Sequence, residues 1–218
     1  MQGVVIRRFE PRDRQALRDI AWQTAFMGQD ASAFFEDKEV FCDFLTLYFT
    51  DFEPRSSFVA ASGGRVVGYL TGALDERVLG RIFTLKILIR LIWRAFIRGT
   101  FFKLKNFYFL AGLARECFKG GYKTPDFFAQ YPAVLHINLD SSAQRMGMGS
   151  MLISSFFRYL QENGVKGVHL TSMSDKGINF FKKQGFSVLY EGRRSYFEYL
   201  LGRQVPFVVF GKKIPQEK

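Results

Sequence analysis

Cysteine, histidine and tryptophan are scarce, with two of each in 218 residues. Cys42 and Cys117 form no Cys-x-x-Cys pair, which excludes a disulfide framework and a thiolate metal site and leaves two free thiols. With only His136 and His169 besides, no metal-ligand cluster of ordinary spacing can be assembled. Every apolar run is interrupted before the roughly 18 residues a bilayer-spanning helix needs. The N-terminus carries Arg7, Arg8 and Glu10 without an apolar stretch of signal-peptide length, which points to the cytoplasm. Two phosphate-binding loops are missing as well. Gly-Lys-Ser/Thr occurs nowhere, which excludes the P-loop, and Gly147-x-Gly149 is followed by Leu152 where a dinucleotide fingerprint needs its third glycine.

What is present suffices for one sizeable core, since 48% of the residues are hydrophobic. The chain reads as a single domain over 1–218. Its formal net charge of +11 is unevenly spread: residues 75–130 hold 11 Lys/Arg against 4 Asp/Glu.

The most informative stretch is Gln144-Arg145-Met146-Gly147-Met148-Gly149-Ser150. It follows a strand-like run at 133–140 and leads into a helix-like run at 151–160. A strand that ends in a glycine-containing turn and opens a helix aims unpaired backbone N–H groups at one spot, with the positive helix end behind them. Such a spot holds a phosphate or pyrophosphate. Glycine at 147 and 149 is read as letting the anion approach the backbone. Further on come a helix stop at Gly164, a strand at 167–172, and a short helix at 177–184 closed by Gly185-Phe186. Upstream, 4–9 reads as a strand, 11–26 as a helix with Pro11 in its first turn, and 57–70 as a hairpin turning at Ser62-Gly63-Gly64.

Gln-x-x-Gly-x-Gly, in the order strand, cradle, helix, strand, helix, Gly-Phe, resembles the coenzyme A loop and core of the GNAT acetyltransferase superfamily. The resemblance covers roughly 1–74 and 131–211. It implies an α/β fold, a GNAT-like mixed central β-sheet flanked by helices. A long basic, aromatic insertion then separates the hairpin from the cradle strand. It implies transfer of an acetyl or other acyl group from a coenzyme A thioester, acetyl-CoA in the simplest case, to an amine acceptor by direct attack. The alternative is a non-catalytic acyl-CoA-binding or membrane-surface regulator on the same fold.

In that family the cradle strand and its neighbour splay apart to admit the pantetheine arm. By register from Gln144, the N–H of Leu139 meets the thioester carbonyl, with Asp140 and Ser141 alongside, and Gln144, Arg145, Met146, Gly147, Met148, Gly149 and Ser150 hold the pyrophosphate. The family's thiolate-protonating tyrosine is replaced here by Phe181, and its asparagine by Ser174; both still border the cofactor. Phe181 donates no proton, so Tyr190, Ser174 or water must, or the thiolate leaves unassisted. His136, Asn138 and Asp140 alternate along one strand face. Histidine is the natural base near neutral pH, which makes His136 and Asp140 the candidates, though both also admit structural readings, as does His169. Lys176, Lys182 and Lys183 either meet the coenzyme's 3′-phosphate or are simply solvated.

The insertion sets Lys86, Arg90, Arg94 and Arg98 at four-residue intervals, a basic stripe on an otherwise large, apolar helix over 79–102. Three readings fit. It is a lid over the acyl and acceptor sites or against a twin subunit. It lies on an anionic membrane surface. Or it binds nucleic acid, which the aliphatic composition disfavours.

Overall fold

The computed structural model describes residues 3–144 and 146–215. The chain runs β1 (Val4–Arg8), α1 (Arg14–Thr24), α2 (Lys38–Leu47), β2 (Phe58–Ser62), β3 (Arg65–Ala73), α3 (Glu76–Ile82), α4 (Leu88–Ile97) and α5 (Leu104–Phe118). There follow β4 (Ala133–Leu139), α6 (Met148–Glu162), β5 (Gly167–Ser172), α7 (Asp175–Lys183), β6 (Ser187–Arg194), α8 (Glu198–Leu201) and β7 (Val205–Lys213). The strands form one seven-stranded sheet in the order β1-β2-β3-β4-β5-β7-β6, antiparallel throughout except between β4 and β5.

Strand alternation divides the core. Leu135, Ile137 and Leu139 of β4 join a cluster with Leu152, Phe156, Phe181 and Phe210, under α6 and α7. The opposite face carries His136 and Asn138, and its core holds Leu17, Ile20, Val59 and Tyr69 under α1. Beyond α1, an aromatic cluster of Phe26, Phe34, Phe35, Phe41 and Phe197 ties the segment before α2 to α5 and the segment after β6. A Cβ on Gly72 would sit 2.3 Å from the Phe156 ring, so that residue must be glycine for α6 to lie this close to β3.

The insertion is a built wall. Its helix begins at Glu76 rather than Leu79, because the Asp75 side chain caps it by accepting from the N–H groups of Arg77 and Val78. A π turn at Phe83–Ile87 joins α3 to α4. Two arginines of the basic stripe turn toward α2 and its cap. Arg94 bonds Asp43 of α2, Arg98 Nε donates to Asp37 at 2.9 Å, and Lys86 lies 5.6 Å from the Phe52 ring centre. Asp43 also takes Arg18, so one buried carboxylate clamps the core helix and the insertion together. At the other end, Glu116 of α5 accepts from the N–H and hydroxyl of Ser195, and Asn106 bridges Glu36 and Thr100. The outward face is left with Ile89, Trp93, Phe96 and Ile97, each more than 60% exposed at 64, 64, 63 and 65%. Among the described residues no helix is long and apolar enough to cross a membrane.

Candidate active site

The two parallel strands separate. β4 pairs with β5 only at Ala133↔Val168 and Val134↔His169, whereas its pairing with β3 runs on to Gly68↔Leu139. The N–H of Asp140 donates to Val67 O on the β3 side at 2.9 Å. Backbone groups of successive strand residues point in opposite directions. The N–H groups of Ile137 and Leu139 therefore point into the gap, where no strand pairs with β4. The gap opens at the carboxyl ends of the parallel strands, where open α/β sheets place their ligands.

The cradle lies directly beyond. A 3-10 turn at Ser141–Ala143 leads through extended Gln144 to Gly147, whose φ of 76° puts it in the left-handed region at the N-cap of α6. No side chain caps that helix, so the N–H groups of its first turn at Met148, Gly149 and Ser150 are open to an anion. Gly147 has open space around it, as expected of a position that an anion approaches. Gly149 does not. A Cβ there would meet the Phe180 ring at 2.9 Å, so the packing of α7 against α6 also requires this glycine. Gln144 takes a hydrogen bond from Lys176 of α7 and holds the turn to that helix. Met146 is exposed beside it. Arg145 lies outside the described residues.

Two expected catalytic side chains take other roles. Asp140 accepts from the N–H and hydroxyl of Ser142, both at 2.8 Å, and these bonds hold its carboxyl below the usual range. It braces the turn as an Asx cap and does not border the cavity described below. Ser174 lines the cavity, as expected, and also caps α7 by accepting from the Gly177 N–H at 3.1 Å. Tyr190 packs on Phe207 of β7 and is also away from the cavity, which removes it as the thiolate's acid. Phe181 is buried and does border the cavity. Tyr196, in the segment after β6, lines it too, with its hydroxyl on Met173 and burial pushing that hydroxyl's pKa up. Nothing local in the sequence marked this tyrosine, because only the β6–β7 path brings it to the end of β5.

The histidines differ sharply. His136 is enclosed by the fold but faces the cavity, so its surface is open to whatever fills it. Enclosure pushes its imidazole down to about 4, and water in the cavity offsets part of that. The Asn138 amide nitrogen donates to Tyr69 Oη at 2.9 Å and lies 3.0 Å from His136 Nε2. Nε2 therefore accepts and Nδ1 carries the proton. So held, the ring has no free lone pair, and the reading of His136 as a general base is corrected to that of a neutral polar wall.

His169 is structural, with Nδ1 2.7 Å from Tyr131 O and Nε2 3.4 Å from Glu76. Burial alone would lower its pKa; Glu76 and the carbonyls of Tyr131 and Ala133 outweigh it, and the net shift is upward from 6.5. The folded state thus binds this proton more tightly than the unfolded chain. Its stabilising share is complete below pH 6.5 and fades as pH rises through the folded value. A His169→Gln variant should therefore fall furthest short of the wild-type Tm below pH 6.5 and approach it as pH rises above that, in paired thermal melts. A gap that widens toward alkaline pH would contradict this pairing. Among the described residues no group of three or more His, Cys, Asp or Glu could hold a metal.

Gap, cradle and insertion enclose one cavity of about 1280 Å³. Its cradle end is lined by Leu139, Gln144, Gly147 to Ser150, Lys176 and Lys183, while Lys182 is outside it. Its far end is walled by Phe34, Phe41, Leu91, Ala95, Phe109 and Phe197.

The likenesses to known proteins agree with this geometry. No curated protein sequence matches the chain. Among solved structures it is similar to SsHAT (TM-score 0.70, 24% identity, covering 98% of this chain and 100% of that one). It is similar also to a Drosophila melanogaster polyamine N-acetyltransferase (TM-score 0.60, 12%, covering 97% and 100%). A third is yncA of Salmonella typhimurium, solved with acetyl-CoA (TM-score 0.58, 12%, covering 98% and 95%). At such identities these likenesses speak for the fold. The model of the acetyltransferase (GNAT) family matches residues 14–186, which span the hairpin, the splayed strands, the cradle and the closing Gly185-Phe186. With that match, the chain belongs to the GNAT acetyltransferase family, whose acyl donor is acetyl-CoA.

Proposed function

We propose that the chain is a single-domain acyltransferase that moves an acetyl group from acetyl-CoA to an amine. One observation carries the reading: an uncapped helix N-terminus stands beside a strand whose gap-side N–H groups have no strand partner. The first suits a pyrophosphate and the second a thioester and pantetheine amides. The nitrogen lone pair of the amine attacks the thioester carbonyl carbon. The carbonyl oxygen gathers charge against the Leu139 N–H. The C–S bond then breaks, its electrons leave on sulfur, and the proton shed by nitrogen passes to that sulfur directly or through water. Amide and free thiol result, and all atoms balance.

No carboxylate lies among the described lining residues, and His136 has no free lone pair. Entry into this apolar space itself favours the neutral amine, since burial disfavours a charged ammonium. The thiol yield from acetyl-CoA should therefore rise with pH as the acceptor loses its proton, with no inflection near 6.5 from His136. A thiol dye over a panel of amines reads this. Tight coenzyme binding with no turnover for any acceptor or acyl length would instead favour the second reading, a non-catalytic acyl-CoA-binding protein, for which the replacement of the acid by Phe181 speaks.

The proposal places the reaction in the cytoplasm, and the free, exposed Cys117 suits a reducing compartment. It also assigns the outward apolar face of the insertion to a membrane surface or a second copy of the chain. Arg94 and Arg98 are committed to Asp43 and Asp37, so an anionic surface would find fewer free cations here than the stripe suggests.

A further inference from the structure

We propose that the acceptor is an amine borne on a long or bulky apolar group, seated in the part of the cavity walled by α1, α2, α4 and α5. This rests on the acyl-transfer reading and names its substrate class. Four observations carry it.

The first is size. The cavity of about 1280 Å³ runs on past the gap and cradle, which the coenzyme takes, to a far end walled by Phe34, Phe41, Leu91 and Phe109 that an acetyl group with a short amine would leave unfilled. The second is chemistry. Lys176 and Lys183 are the only charged side chains among the described lining residues, and both lie on α7 at the cradle end. Two wall threonines spend their hydroxyls internally: Thr24 donates to Ile20 O at 2.7 Å, and Thr100 to Asp37 at 2.5 Å. The nearby carboxylates Asp37 and Asp43 are held by Arg98, Arg18 and Arg94. No free carboxylate among the described lining residues would pair with a second ammonium, and a chain of net charge +11 repels polycations.

The third is access. Phe44, Leu88, Ile92 and Phe101 line the far end yet remain 51, 38, 52 and 39% exposed, which makes an apolar rim. Ile92 continues on α4 into the outward residues Ile89, Trp93 and Phe96. An apolar molecule can thus enter opposite the coenzyme. The fourth is rigidity. The Arg94–Asp43 and Glu116–Ser195 ties fix the insertion helices in place, so the space is standing and not closed by collapse.

The test is a series of n-alkylamines from ethyl to decyl, each below its micelle concentration, with acetyl-CoA and thiol release as readout. KM should fall about threefold per added methylene until the cavity is filled. Spermidine should be a poor acceptor. Ile92→Glu, a change at an exposed position that does not threaten folding, should reduce the decyl-to-ethyl ratio of kcat/KM at least about tenfold. Spermidine preferred over decylamine, or no dependence on alkyl length, overturns the inference while leaving acyl transfer standing. Rates that rise with the acyl chain of the donor but not with the amine overturn it as well, because the cavity would then belong to the donor. Should no amine turn over, acyl transfer fails separately, and calorimetry of decylamine with the coenzyme A-loaded protein decides this inference. Binding that Ile92→Glu weakens supports it, and no heat rejects it.

Discussion

A Gly147→Asp variant should lose at least about 100-fold in affinity for acetyl-CoA and keep its fold. The affinity loss follows from charge. A carboxylate placed at the N-cap of α6 stands about 4 Å from where a pyrophosphate must lie, and two like unit charges at that distance near a protein surface repel by about 4 kcal/mol. It would also cap the N–H groups of the first turn, taking the donors the phosphate needs. The fold survives because no atom lies within 4 Å of a Cβ at this position. The remaining cost is the left-handed φ of 76°, about 1–2 kcal/mol for a residue with a Cβ and less for Asp. That corresponds to a Tm loss of roughly 2–8 °C. Titration calorimetry gives the affinity, and Gly147→Ala, which shares the strain without the charge, separates the two causes. Ala should bind far better than Asp. Equal binding by Asp and wild type would remove this turn from the coenzyme site.

The second large effect is on stability. Asp43→Ala should destabilise by about 3–5 kcal/mol, the usual result of stripping one partner from a buried ion pair. In a chain of this length that is a Tm drop of roughly 6–20 °C. Asp43 is buried, with one carboxylate oxygen on Arg18 and the other on Arg94. Arg18 is itself almost fully buried, so the alanine variant leaves a guanidinium in the core with only the half-exposed Glu39 to answer it. The same change removes the Arg94 tie to Asp43 between α4 and α2, and amide exchange across 88–97 should quicken more than across α6. Arg14→Ala is the control. It breaks an exposed pair with Asp51 at 2.6 Å and should cost less than about 1 kcal/mol. A similar, small loss in both variants would show that the insertion does not hang on Asp43.

Much of the local architecture could be read from particular residues. Gly63-Gly64 turned the hairpin, and Gly164 and Gly185 ended their helices with positive φ. Others misled. Gly149 looked like an anion contact alone and has a packing role as well, because Phe180, thirty-one residues on, occupies the space above it. Asp140 looked like a base at the end of a catalytic strand, but its own neighbour Ser142 claims it. The regular stripe Lys86, Arg90, Arg94, Arg98 suggested an outward charged face. Its two best-placed arginines turned inward because Asp37 and Asp43, on a helix more than forty residues earlier, needed partners in a buried setting. Helix α2 itself had a readable signal, with the Asp37 cap before Val40, Phe41, Phe44 and Leu47 at helical spacing.

What the chain's letters determined alone was the cradle, since an uncapped helix start after a glycine turn depends on contiguous residues and local backbone geometry. Which coenzyme it takes followed from the resemblance of that stretch to the GNAT family and from the family match. What lies opposite the coenzyme was decided only in three dimensions. The apolar far wall gathers residues from α1, α2, α4, α5 and the segment after β6, and the neutral state of His136 comes from its enclosure by the fold. Burial and charge pairing between distant segments carry no mark in any one of them, so the side of the site that chooses the acceptor emerges only when the sheet has brought them together.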